Sequence, residues 1–201
     1  MLKNRGQTNM TQVFGDFIEN SSPSTEYLII GFSPSSIPLK QRWQNNGLSA
    51  GFIADYLVAF FPVDENEPGA LDKRNKTIGA VKYITNELLE NAMKFSDEIL
   101  QFPVSIKLEL RTDCLIFKTT NAINYQAVPS FQALIEELTT SDPSELFIRR
   151  LEKNTEDNWN TSGLGLITII NDYRAKLGWK FEIIKQQPEM ITVTTTVQLP
   201  L

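Results

Sequence analysis

The sequence of 201 residues contains no histidine and a single cysteine, Cys114. Without histidine there is no Ser-His-Asp or Cys-His hydrolase, no His-ligated zinc and no phospho-accepting histidine. One cysteine makes neither an internal disulfide nor a thiolate zinc cluster. No apolar run reaches the roughly 18 residues of a membrane span. The opening MLKNRGQTNMTQ lacks the apolar core of a secretory signal. Positive charge is also short: 19 Lys+Arg against 24 Asp+Glu gives −5, the wrong sign for a nucleic-acid binder. These absences predict a cytoplasmic, acidic, globular protein with no nucleic-acid or membrane partner. Any general base is Asp, Glu, Lys, Tyr or Cys114.

What is present alternates between helical and strand periodicity. Residues 11–20 hold Val13, Phe14, Phe17 and Ile18 at helical spacing, which predicts a short amphipathic helix. Tyr27 to Phe32 is a compact apolar run, read as a buried strand, and residues 47–61 read as a buried helix. Residues 73–96 carry one apolar stripe, Ile78, Val81, Ile84, Leu88, Ala92 and Phe95, the clearest helix. Residues 103–110 and 114–120 read as a hairpin around Arg111-Thr112-Asp113. Two helices follow at 126–139 and 144–152, then a polar loop at 154–163. An apolar helix over 164–177, ended by Gly178, precedes a second hairpin at 179–184 and 191–199. The pattern predicts an α/β (α+β) sandwich. Its sheet is mixed, mostly antiparallel and about five-stranded, with helices mainly on one face. Residues 1–72 read as an extension packed on the domain formed by residues 73–201.

Two short stretches carry chemistry. In Asn86-Glu87-Leu88-Leu89-Glu90-Asn91-Ala92-Met93-Lys94, Glu87 and Asn91 lie four apart, on one helix face. A carboxylate there can polarise a hydroxyl, an amide oxygen suits Mg²⁺, and Lys94 is one turn on, in reach of a phosphate. The competing reading is a solvated helix face. In Thr161-Ser162-Gly163-Leu164-Gly165-Leu166, glycines open an apolar helix. The backbone N–H groups of such a start hold anions. The competing reading is an N-cap with a packing glycine.

The pair, in this order and separation, resembles the GHKL ATPase family of histidine kinases, gyrase-type ATPases and anti-sigma-factor kinases. NELLENAMKFS resembles its N-box and SGLGL its final glycine box, over residues 73–199. Glu87 stands where histidine kinases usually have Asn, as in the anti-sigma kinases. The N-terminal part resembles the SiaB-like bacterial serine/threonine kinases. The resemblance implies a Bergerat-like fold and ATP with Mg²⁺. It implies Glu87 as base, Asn91 as metal ligand, and Lys94, Ser162, Gly163, Leu164 and Gly165 around the phosphates. It also implies a small STAS-like or SiaC-like protein partner, and a homodimer through the 11–20 helix. One departure stands out. Where the family has Asp-x-Gly-x-Gly, this chain reads Asn121-Ala122-Ile123-Asn124-Tyr125. Asn121 is the nearest substitute for the adenine-reading Asp, and Trp159, in the polar loop, can stack on a ring. The altered box leaves two alternatives to the kinase: a module that binds a flavin nucleotide, or one that binds only a protein.

Overall fold

The computed structural model describes residues 11–19, 26–33, 46–61, 68–97, 99–156, 163–186 and 189–201. In chain order the strands are β1 (Thr11–Gly15), β2 (Glu26–Phe32), β3 (Val104–Leu110), β4 (Cys114–Ile123), β5 (Lys176–Gln186) and β6 (Glu189–Pro200). The helices are α1 (Asn46–Val58), α2 (Ala70–Lys94), α3 (Val128–Thr140), α4 (Pro143–Glu156) and α5 (Leu164–Tyr173). The strands form one six-stranded sheet in the order β1-β5-β6-β4-β3-β2, every neighbouring pair antiparallel.

Register sorts the two faces. Leu108 pairs with Phe117 and Phe117 with Val197, while Trp179 pairs with Thr195 and Phe181 with Val193. These residues share one face. The buried stripes of all five helices close over it, and a single apolar cluster joins Ile53, Leu57, Ile84, Leu88, Ile135, Leu146 and Ile167 to Phe117, Trp179 and Val197. The opposite face is polar, with Lys107, Glu109, Lys118, Thr194, Lys180 and Glu182. Burying that apolar area on one side only is what holds the helix layer to the sheet.

Three local expectations are corrected. The helix expected over 11–20 is not found across its described residues, 11–19: Thr11–Gly15 is edge strand β1, paired with Gly178–Glu182. The Phe14 ring lies edge-on to Phe181 at 5.7 Å, and cross-strand pairing wins over a four-residue helical pattern too short to stand alone. The dimerisation helix expected there is therefore absent. The sixth strand is this one. The last helix ends at Tyr173, not at Gly178, because Arg174 turns left-handed (φ 51). Ala175 points inward just before β5, and Leu177, Trp179 and Phe181 then alternate inward along it.

Gly178 is needed for the crossing that follows β1. Asp16 donates its backbone N–H to Leu177 O (2.8 Å) and accepts on its own O from Gln198 Nε2 (2.6 Å). This lays Phe17 across the polar face, where a Cβ at Gly178 would strike the Phe17 backbone. Backbone cannot swing aside as a side-chain tip does. Gly178→Ala is expected to cost about 1–3 kcal/mol, read as a lowered denaturation midpoint with an unchanged m-value.

Candidate functional site

The long helix α2 presents the first motif. Its inner stripe, Ala80, Val81, Ile84, Leu88, Leu89, Ala92 and Met93, is buried. That stripe fixes the rotation of the helix and puts Glu87 and Asn91 beside it, both half-buried. α5 presents the second motif. Gly163 precedes it in a left-handed conformation (φ 98), a geometry that favours glycine, and its carbonyl accepts from Ile167 N (3.1 Å).

The two motifs meet. A Cβ at Gly165 would run into the Glu87 carboxyl group, so Glu87 lies directly on the first turn of α5. One helical turn back on α2, the Tyr83 ring sits 5.6 Å from that of Tyr173 at the far end of α5. The two contacts, near opposite ends of α5, set Glu87 against the glycine turn. Burial raises the Glu87 carboxyl above the ordinary carboxylate range, and the charge of Glu90 adds to this. A carboxylate kept poorly solvated is a stronger proton acceptor.

Asn91 opens into a narrow pocket between α2 and the sheet. Its floor is Thr119 and Asn121 of β4 with Val193 and Thr195 of β6, and Phe131 and Leu134 of α3 and Gly163 close it. Asn121 does not follow its strand, as expected, but lies within β4, opposite Val193. It is 4 % exposed. Its Nδ2 donates to Ala122 O (3.1 Å), and Oδ1 is the acceptor of the amide. The enclosed space is about 20 Å³, room for about one water. Leu134 and Phe131 occupy the rest. The Phe131 ring stacks on Phe95 (6.4 Å, 17°) and meets Phe181 edge-on (5.8 Å).

Beyond Phe131 and Leu134 the pocket adjoins a wider cleft of about 530 Å³. Lys94, Ser130 and Arg150 line it, with Glu137. Arg150 pairs with Glu137, and Lys94 lies over the Phe95 ring at 5.3 Å.

The structure thus brings Asn91, Asn121 and Gly163 into one pocket, sets Glu87 on Gly165 at its margin, and puts Lys94 in the adjoining cleft. Leu164 is half-buried and packs on the core rather than lining the pocket. Trp159 and Ser162 lie outside the described residues. Sequence reasoning missed Thr119, Thr195, Phe131 and Leu134. The first two face each other only through the β4–β6 register, and the second two read as an ordinary apolar helix stripe. Among the described residues no group of three or more Cys, Asp or Glu side chains could hold a metal ion. No helix among them is long and apolar enough to cross a membrane.

No protein-family model matches the sequence, and no curated protein matches it. Among solved structures, the chain resembles a chain of the SiaB–SiaC complex from Pseudomonas aeruginosa, with a TM-score of 0.54 and 12% sequence identity. The match covers 87% of this chain and 89% of that one. At that identity the likeness is one of fold.

Proposed function

We propose that this protein is a SiaB-like signalling kinase that moves a phosphoryl group from ATP to a serine or threonine of a small SiaC-like partner. The observation that carries the reading is the meeting of Glu87 with Gly165 beside a pocket lined by Asn91 and Asn121. Phosphoryl transfer asks a protein for position and charge neutralisation more than for covalent chemistry. Few residues suffice, and these are of the required kinds.

Each has a distinct role. The Asn121 Oδ1, Thr119 and Thr195 give the pocket a polar, uncharged floor suited to a purine amino group. The pocket as it stands is too small for the base. Nucleotide enters when Leu134 and Phe131 swing toward the wider cleft, where Lys94 and Arg150 meet phosphate oxygens. The Asn91 amide supplies one neutral oxygen of the kind Mg²⁺ takes when it arrives with phosphates, and the ion neutralises their charge. Backbone N–H groups of the α5 start hold the terminal phosphate. Glu87 accepts the proton of the acceptor hydroxyl as its oxygen bonds to phosphorus and ADP leaves.

The test is transfer of label from Mg-ATP to the SiaC-like protein of the same genome. Labelled partner supports the reading, while tight ATP binding without transfer to any hydroxyl leaves a nucleotide-gated binding module. A yellow preparation releasing flavin overturns the ATP assignment. Base reading has its own check. Asn121→Leu is expected to weaken ATP binding about tenfold to a hundredfold, since it removes a buried hydrogen-bond acceptor. Asn121→Asp keeps the acceptor and is expected to retain binding. Equal affinity in all three proteins, measured by calorimetry, would remove Asn121 from the base site.

A further inference from the structure

The cleft beside the pocket holds an acid as well as bases. Glu137 of α3 lines it together with Lys94 and Arg150. Its carboxylate pairs with Arg150 of α4 and lies 3.6 Å from Arg149 Nη1. The pair is largely shielded from water, with the Arg150 side chain 22% and the Glu137 side chain 30% exposed. A carboxylate and a phosphate offer a guanidinium the same thing, two oxygens for two parallel N–H groups. Glu137 therefore occupies the arginine that a phosphate would use.

Arg150 also reaches the glycine turn. A Cβ at Gly163 would stand 3.5 Å from Arg150 Nη1 and 3.2 Å from Leu134 Cδ1. The turn that opens α5 is thus met both by the arginine and by a residue that fills the pocket. Phe131, Leu134 and Glu137 follow one another at three-residue steps on α3, along one helix face. Phe131 and Leu134 line the pocket and the cleft alike, so they form the partition between the two. An ion pair that ties Glu137 to α4 also holds this partition against Asn91 and Asn121. A triphosphate entering the cleft meets the charge of Glu137 and must take Arg150 away from it.

We propose that Glu137 is a built-in competitor for phosphate: its pairing with Arg150 latches Phe131 and Leu134 in the pocket, and a nucleotide phosphate frees them by taking over the guanidinium. The proposal rests on the nucleotide reading above and adds the regulation of that site. A latched pocket lowers apparent affinity by the fraction of molecules that stand open.

Two ligands, titrated by calorimetry into the full chain, separate the parts. Adenosine has the base and no phosphate, so it reads the partition alone. Mg-ATP reads the partition and Arg150 together. Glu137→Gln is expected to bind both about threefold to tenfold more tightly than wild type. Arg150→Gln opens the same latch, so adenosine should gain by a similar factor. Mg-ATP should bind to it about tenfold to a hundredfold more weakly than to Glu137→Gln, because the charge-assisted bonds to phosphate are gone. A merely structural ion pair would not split the two ligands in this way. Leu134→Ala thins the partition and leaves both charges in place. It should tighten adenosine, and adding Glu137→Gln to it should gain less than in the wild type. Equal adenosine affinity in wild type and Glu137→Gln, or an Arg150→Gln protein of unchanged circular dichroism that weakens both ligands alike, would overturn the latch and leave the nucleotide site standing. Binding of neither ligand to any of these proteins would overturn the site, and the latch with it.

Discussion

Glu87→Gln is expected to lower phosphoryl transfer by about 10²–10⁴-fold while leaving the ATP dissociation constant within about threefold. The range is that of a positioned general base. The amide keeps the size of the carboxyl and its seat on Gly165 but cannot take a proton. Single-turnover transfer and calorimetric binding, measured on the same preparation, separate the two effects. A variant that transfers at the wild-type rate would exclude Glu87 as the base. The pH dependence carries a second signature. Burial, then Glu90, raises the Glu87 carboxyl above its ordinary range. Activity should therefore fall, as pH drops, at a midpoint higher than an exposed glutamate would give, and Glu87→Gln should lack that limb. Stability runs the other way. A folded-state pKa raised above the unfolded value contributes stability that is fully present below the unfolded pKa and is lost as pH rises through the folded one. At neutral pH the Glu87 charge thus works against folding. Glu87→Gln is expected to unfold at the same or a higher temperature.

Gly165→Ala is expected to reduce transfer at least tenfold with little loss of stability. The added methyl falls on the Glu87 carboxyl, and that side chain, not the backbone, is what moves. Alanine also favours the α5 helix over glycine by about 0.5–1 kcal/mol, which offsets the lost contact. The displaced carboxyl gains water, so the acid limb of the rate profile should shift toward lower pH. Pairing Gly165→Ala with Glu87→Asp, which shortens the acid, tests whether the two positions act as a unit. The double variant should lose less than the product of the single losses, since the shorter acid no longer meets the methyl. Strict additivity would mean that the close approach of α2 and α5 has no role in transfer.

Much of the layout is legible in the residues. The stripe from Ile78 to Phe95 identifies α2 because its three-and-four spacing runs for several turns and has no competing period. The hairpins around Arg111-Thr112-Asp113 and before Ile191 follow from strict alternation. The short segments are a different matter. Val13, Phe14, Phe17 and Ile18 fit a helix as well as a strand over so few residues. The empty edge of β5 decides for strand. Leu177 and its neighbours likewise read as a helix continuation until Arg174 breaks it.

For the site, the amino-acid sequence by itself determines the chemical kinds: an absence of histidine, a Glu-x-x-x-Asn helix face, a glycine-rich helix start and the amide of Asn121. These are local properties, set by residue identity and by the helical repeat. Only the tertiary structure decides which groups touch. Glu87 reaches Gly165 because α2 and α5 pack side by side on the sheet. Asn121 shares a pocket with Thr195 because β4 pairs with β6 in one register, and a slip of β6 by one residue would turn Thr195 to the opposite face. That Phe131 and Leu134 fill the pocket is likewise a matter of packing. Their spacing marks an apolar helix face, and only the space left between α2 and the sheet makes it the wall of a site.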